Sequence, residues 1–287
     1  MIGNNFIGRM GRYCNQMSQY AALKGIASNM GYDYCIPLNA DPVDDGIGNM
    51  QYNELFDSFD LSHVKIGIIE PSYMSNDSPL QRQAREMNMY ITETKHSFNE
   101  DIFNDCPDNV TLKGYFQTEN YFKHIEDEVR EDFTFNPGIL LPCQEMISTM
   151  DSPIAIHIRR TDYIMNQANH HNLSLKYYET ALKEFDSDRN VIVFSDDPTW
   201  CKEQDLFQDD RFIVSENTDN RIDLCLMSLC SDFIIANSSF SWWGAWLSAN
   251  KDKKVIAPTE WFGTTGYTKN HDTSDVVPDE WVRISDG

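Results

Sequence analysis

The chain has 287 residues, 41% hydrophobic and 12% aromatic, which is enough to bury a core and excludes a disordered chain. Its formal net charge of −22 sets a mean field that repels nucleic acid and anionic membrane surfaces alike. Seven scattered cysteines without a CxxC pair read as reduced thiols, and no signal peptide or 18-residue apolar run is present, so the expected setting is cytoplasmic, soluble or peripheral at the inner face of a membrane.

In chain order, residues 2–8 read as a first strand and Arg9 to Tyr13 as a loop. Asn15 to Met30 reads as a helix, with Met17, Tyr20, Ala21, Leu23, Ala27 and Met30 mostly inward, and Gly31 ends it. Tyr34 to Pro37 reads as a second strand. Asp, Gly and Asn between Asn39 and Glu54 signal a loop. Residues 64–69 and 111–116 are further strand candidates, and 71–101 is polar, weakly periodic and without an assignment. Asn136-Pro137-Gly138 and Asp151-Ser152-Pro153 carry a linker's punctuation, so a domain of 1–150 and a domain of 151–287 are expected.

The second half is more regular. Ile154, Ile156 and Ile158 alternate as in a strand, which ends in His157-Ile158-Arg159-Arg160-Thr161-Asp162-Tyr163. A polar loop with His170 and His171 leads to a helix over 174–185, then a strand over 191–195. A helix starts near Pro198, where proline suits a first turn. Phe212–Val214 is a strand, Asp223–Cys230 a helix, 233–236 a strand, Phe240–Ala249 a helix and 254–257 the last strand, with an irregular acidic tail after Trp261. Strands alternating with helices predict an α/β fold with a parallel, doubly wound sheet.

Two guanidiniums at a strand's carboxyl end are costly in a core and suited to a diphosphate, because ligands of open α/β sheets bind at that end. Two readings of the pair stay open: a grip on phosphate by Arg159 and Arg160, or an internal tie of Arg160 to Asp162. His157 shares a face with Arg159 by strand alternation, as a catalyst or as an interior histidine. Ala236-Asn237-Ser238-Ser239-Phe240-Ser241-Trp242-Trp243-Gly244 puts small polar residues between a strand and a helix, an arrangement that can hold an anion or simply cap the helix. Trp242, Trp243 and Trp246 read as helix packing. Asp196 and Asp197 follow the 191–195 strand and could meet a ribose, a base edge or a metal, or Asp197 could cap the helix at Pro198. Asp186-Ser187-Asp188 matches a metal-binding D-x-D in spelling but precedes its strand. Gly11-Arg12-Tyr13-Cys14-Asn15-Gln16-Met17 is a strand-to-helix turn lacking the dinucleotide and Walker patterns.

Together these segments resemble the α-1,2-fucosyltransferases of glycosyltransferase family 11. His157–Tyr163 matches the family's H-x-R-R-x-D-Y run, Phe194-Ser195-Asp196-Asp197 with Trp200-Cys201-Lys202 its F-S-D-D-x-x-W-C-K segment, and Asn237 to Leu247 its most recognisable block. Gly11–Met17 resembles the family's opening turn, with Tyr13 and Cys14 where the family has Leu and Gly. The resemblance implies two Rossmann-like domains facing a cleft (GT-B type), with an acceptor-side N-terminal domain and a nucleotide-binding C-terminal one. It implies GDP-β-L-fucose as donor, inversion at the sugar carbon, a galactose-containing glycan as acceptor, and neither cofactor nor metal. Arg159, Arg160, Asp196, Asp197, Asn237, Ser238, Ser239 and Phe240 are then the expected donor-binding residues. Arg159 neutralises the leaving group, Asp162 is the candidate base, and His157 shapes the phosphate site. Another linkage or GDP-sugar, and a non-catalytic sugar-binding protein, are the alternatives.

Overall fold

The computed structural model describes residues 1–44, 46, 50–72, 75 and 78–287. The loop reading at 45 and 47–49, and the unassigned stretch at 73, 74, 76 and 77, lie outside the described residues. The chain forms two compact units, Met1–Thr134 with Ser274–Val276, and Phe135–Thr273 with Val277–Gly287.

In the first unit, β1 (Ile2–Gly3), α1 (Tyr13–Met30) and β2 (Tyr34–Cys35) come first. Then follow β3 (Val43–Asp44), β4 (Met50–Gln51), α2 (Leu55–Ser58), α3 (Pro79–Asn88), β5 (Tyr90–Thr92), α4 (Glu100–Asp105), β6 (Thr111–Lys113) and α5 (Glu126–Asp132). The sheet order is β2-β1-β6-β5, all parallel. Helix α1 ends as expected at Gly31, whose φ of 67° is the left-handed cap conformation and whose N–H reaches Ala27 and Ser28 carbonyls. The departures Tyr13 and Cys14 are the first residues of α1 and both are buried, Tyr13 stacked on Phe59. Asp132 fastens α5 to α1 by accepting from the Tyr20 hydroxyl at 2.7 Å and the Lys24 ammonium at 2.6 Å. The expected strand at 64–69 is reduced to one bridge, Ile36 to Ile66.

The second unit holds α6 (Pro137–Ile147), β7 (Ile154–Ile158), α7 (Thr161–Met165), α8 (Leu175–Leu182), β8 (Val191–Ser195) and α9 (Pro198–Lys202). It continues with β9 (Phe212–Val214), α10 (Asn220–Ser228), β10 (Asp232–Ile234), α11 (Ser239–Leu247), β11 (Val255–Pro258) and β12 (Val282–Ile284). The structure places the division after Thr134, earlier than the punctuation at 150/151 suggests. The reason is α6, which packs on α10 and lays the Cys143 thiol on the Ile222 carbonyl at 3.8 Å, so it belongs with the second core. All seven cysteines are free and buried. Among the described residues no helix is long and apolar enough to cross a membrane.

The second sheet runs β12-β11-β10-β7-β8-β9, parallel throughout. Renumbered from β7, this is strand order 6-5-4-1-2-3, the dinucleotide-fold order. Every residue of β7 is buried, not alternate ones, because helices cover both faces of a parallel sheet. Ile154, Ile156 and Ile158 pack with Val191, Val193, Ile234 and Ile256 beneath Tyr177 and Tyr178 of α8. The chain order reverses between β7 and β10, so the crevice at their carboxyl ends is where this architecture binds ligands.

Candidate active site

Strands β7 and β10 are neighbours in register, Ile154 beside Asp232 and Ile156 beside Ile234. The segments leaving them, 159–163 and 235–241, therefore start side by side at the switch point. The Tyr163 hydroxyl stitches them together by donating to the Asn237 carbonyl at 2.9 Å. Asn237 is itself an anchor. Its buried amide donates to the carbonyls of His171 at 2.9 Å and Trp261 at 2.8 Å. Ser238 caps α11 by accepting from Phe240 N–H at 3.3 Å, while Ser239 and Phe240 are only half buried at the start of the helix. A helix start at the same sheet end as two guanidiniums suits an anion.

The two arginines are held differently. Arg159 places Nη1 3.0 Å from Asp196 Oδ2, and its Nη2 donates to Asp162 Oδ1. Arg160 lies flat over the Trp200 ring, 3.6 Å from its centroid, with Nε 3.3 Å from Asp197 Oδ2. Neither contact is the Arg160–Asp162 tie that stood as one of the two open readings. Asp196 is the hub: Oδ1 accepts the Arg160 backbone N–H at 2.9 Å and Oδ2 the Thr161 hydroxyl as well as Arg159. Burial pushes the Asp196 pKa up, but the Arg159 guanidinium and the Thr161 and Arg160 donors outweigh it and hold the carboxyl below the usual carboxylate range. Asp197 caps α9, accepting from Trp200 N–H at 3.2 Å. With these partners both aspartates organise the arginines.

His157 is 4% exposed, its Nδ1 2.9 Å from Ser241 Oγ and its carbonyl held by the Tyr178 hydroxyl at 3.1 Å. Burial, then the positive charge of Arg159, push its pKa well down against the opposing pull of Asp196. It is a neutral imidazole, able to pass a hydrogen bond but not to carry charge in the folded state. In the unfolded chain it protonates near its ordinary value of about 6.5. Its contribution to stability is therefore intact above that pH and falls as the pH drops, because the unfolded state takes up the extra proton. Between about pH 7 and about pH 5, wild type is expected to lose Tm faster than His157→Gln, as read by thermal unfolding. Parallel curves would show an imidazole that titrates alike in the folded and unfolded chain.

The structure gathers His157, Arg159, Arg160, Asp162, Asp196, Asp197 and Asn237 to Phe240 at one end of one sheet. It leaves Asp186 and Asp188 on an exposed turn. Trp242, Trp243 and Trp246 are buried against one another, as the packing reading expects. Sequence reasoning missed Thr161, Trp200, Tyr163 and Ser241 as the supports of this cluster. A signal existed for Trp200: an aromatic in the first turn after an aspartate-rich strand end can lie under a guanidinium. It also missed the buried Asp223 after β9, which accepts from Ser215 Oγ at 2.6 Å and Asn217 Nδ2 at 2.9 Å. In the first unit, Gln16 of the opening turn ties α1 to the 52–54 segment through Tyr52 O at 2.9 Å and Glu54 N–H at 2.9 Å.

The model of Glycosyl transferase family 11 matches residues 83–285. The O-antigen biosynthesis glycosyltransferase WbnK of Escherichia coli is 33% identical over 213 residues, 68% of each chain. An alpha-1,2-colitosyltransferase of the same organism is 35% identical over 199 residues, 65% of this chain and 67% of that one. Galactoside alpha-(1,2)-fucosyltransferase 1 of Bos taurus is 22% identical over 256 residues, 83% of this chain and 64% of its own. Among solved structures, POFUT1 in complex with GDP-fucose superposes with a TM-score of 0.55 at 12% identity, covering 89% of this chain and 96% of that one. This is a likeness of fold, and it makes the α/β architecture of the GT-B type.

Proposed function

The chain belongs to glycosyltransferase family 11, and from that premise we propose that it transfers L-fucose from GDP-β-L-fucose to the 2-hydroxyl of a galactoside in a surface glycan. The observation that carries this reading is the arginine pair at the switch point of the second sheet, beside the start of α11. The bond from the sugar's anomeric carbon to the β-phosphate oxygen breaks, and its electron pair leaves with GDP. Charge building on that oxygen needs fixed positive partners, which the Arg159 and Arg160 guanidiniums and the positive N-terminal end of α11 supply. The sugar gains oxocarbenium character, the acceptor hydroxyl attacks from the opposite face, which inverts the centre, and the hydroxyl's proton passes to solvent as the new C–O bond completes. In this reading the cationic side chains do the neutralising, and no metal is required.

The donor is supported by the fucosyltransferase relatives and the 1,2 linkage by the two that carry it in their names. A second reading, transfer of another deoxy sugar to the same position, is favoured by the colitosyltransferase at 35% identity. The test is incubation with GDP-fucose and a panel of galactosides, with EDTA present. GDP release and an α-1,2-linked product by NMR are expected. Turnover that stops with EDTA overturns the metal-free step. Binding of GDP-fucose without turnover on any acceptor overturns the fucosyl reading.

A further inference from the structure

The two carboxylates on Arg159 are not equivalent. Asp196 is fixed: its side chain is 18% exposed and it accepts from the Arg160 N–H and the Thr161 hydroxyl besides Arg159. Asp162 stands in the first turn of the five-residue α7, and its side chain is 48% exposed. It occupies Nη2, and Asp196 holds Nη1. The local charge count matters as much as the geometry. Two guanidiniums, Arg159 and Arg160, face three carboxylates, Asp162, Asp196 and Asp197, so the resting cluster has one more negative than positive group. A diphosphate brought to that cluster meets a net negative site unless one carboxylate leaves. Of the three, Asp162 has the most exposed side chain, 48% against 18% for Asp196 and 32% for Asp197, so it is the group best placed to move.

We infer that Asp162 is a resident anion: it occupies the place of a donor phosphate on Arg159 Nη2, and the diphosphate of a nucleotide displaces it. This rests on the diphosphate-binding role proposed above and adds an autoinhibitory contact to it. While the site is empty, Asp162 keeps the guanidinium turned toward the crevice and neutralised. After transfer, its return to Nη2 competes with GDP and speeds release of the product, a step that commonly limits turnover in such enzymes. Asp162 is thus a positioning residue of the clamp, acting through Arg159.

Calorimetric titration of the full chain with GDP tests the idea. Asp162→Asn keeps the shape of the side chain and removes its charge. It is expected to bind GDP about tenfold more tightly, combining the loss of an exposed ion pair with relief of repulsion between two anions. Most of that gain should appear as slower dissociation of a fluorescent GDP analogue. In steady state the donor KM and the GDP inhibition constant should fall together while kcat also falls, a split that mere local unfolding does not produce. Asp162→Glu, which keeps the competing charge, should stay near wild type, and Asp162→Ala should follow Asn. If Asp162→Asn and Asp162→Ala bind GDP with wild-type or weaker affinity, the resident-anion role is wrong. If the wild-type chain binds no GDP at all, it is the diphosphate-binding reading that fails.

Discussion

Replacing Arg159 with alanine is expected to lower kcat/KM by about 10²–10³, the loss seen when one fixed donor to a developing oxyanion is removed. The expectation rests on how the guanidinium is held. Asp196 fixes it from one side at 3.0 Å, and its side chain is 14% exposed, so little water screens it. A cation fixed in advance stabilises charge as it forms on the departing phosphate, without reorganising. Removal also leaves Asp162 and Asp196 facing the phosphate without a counter-charge, which pushes the loss toward the upper end. Arg159→Lys should recover little, because an ammonium cannot bridge two partners as a planar fork does. Arg160→Ala should cost less, since Arg160 is already stacked on Trp200 and shared with Asp197. GDP release from GDP-fucose in the presence of a galactoside measures each variant, with Tm as the check on folding. An Arg159→Ala enzyme with near wild-type kcat/KM would remove this side chain from the clamp.

The sequence made the second unit readable because its strands are short apolar runs with helices of clear period between them. The strand 191–195 and the strand 212–214 fall where the pattern puts them. Elements whose signal was overridden by local chemistry were lost. Asn136-Pro137-Gly138 carries a linker's punctuation, yet Pro137 sits in the first helical turn, where its missing N–H costs nothing. Val282–Ile284 was hidden in an acidic tail because a three-residue edge strand, largely exposed, needs no apolar run. Conversely, 64–69 alternates like a strand, but Ile66 and Ile68 are about half exposed, and the segment pairs through a single bridge.

At the site, residue types were legible and pairings were not. Spacing alone left a phosphate grip and a tie of Arg160 to Asp162, two positions on, both open. The chain instead begins α7 at Thr161, which turns Asp162 back toward Arg159 at i−3 and frees Arg160 for Trp200 and Asp197. The partner that decides the arrangement, Asp196, arrives from the next strand, 36 residues from Arg160. No local pattern encodes that approach. It follows from β7 and β8 pairing with Ile158 beside Ser195, which sets Asp196 one residue and Arg160 two residues beyond matching strand ends.

Asp196→Asn is expected to lower GDP affinity and kcat/KM together, each by about 10²-fold, through two or more lost bonds to a half-buried charged acceptor at about 1.5–3 kcal/mol each. Charge alone predicts the opposite. Removing a carboxylate beside the arginines makes the site more positive, which is why Asp162→Asn should bind GDP more tightly. Geometry decides between them. All the partners of Asp196 are donors: the Arg160 N–H, the Thr161 hydroxyl and Arg159 Nη1. An asparagine can satisfy them with one oxygen only, and its amide N–H₂ must then face another donor. The Arg160 backbone, the start of α7 and the Arg159 guanidinium would all lose their common anchor, while the attraction gained from one less partly exposed charge is worth about 1 kcal/mol. Calorimetry with GDP on the two asparagine variants side by side reads the difference directly, since they remove the same charge from the same arginine. Opposite signs would establish that the fixed carboxylate builds the phosphate site and the exposed one competes for it; tighter binding by both variants would leave bulk electrostatics as the sufficient account, and weaker binding by both would overturn the competing role of Asp162.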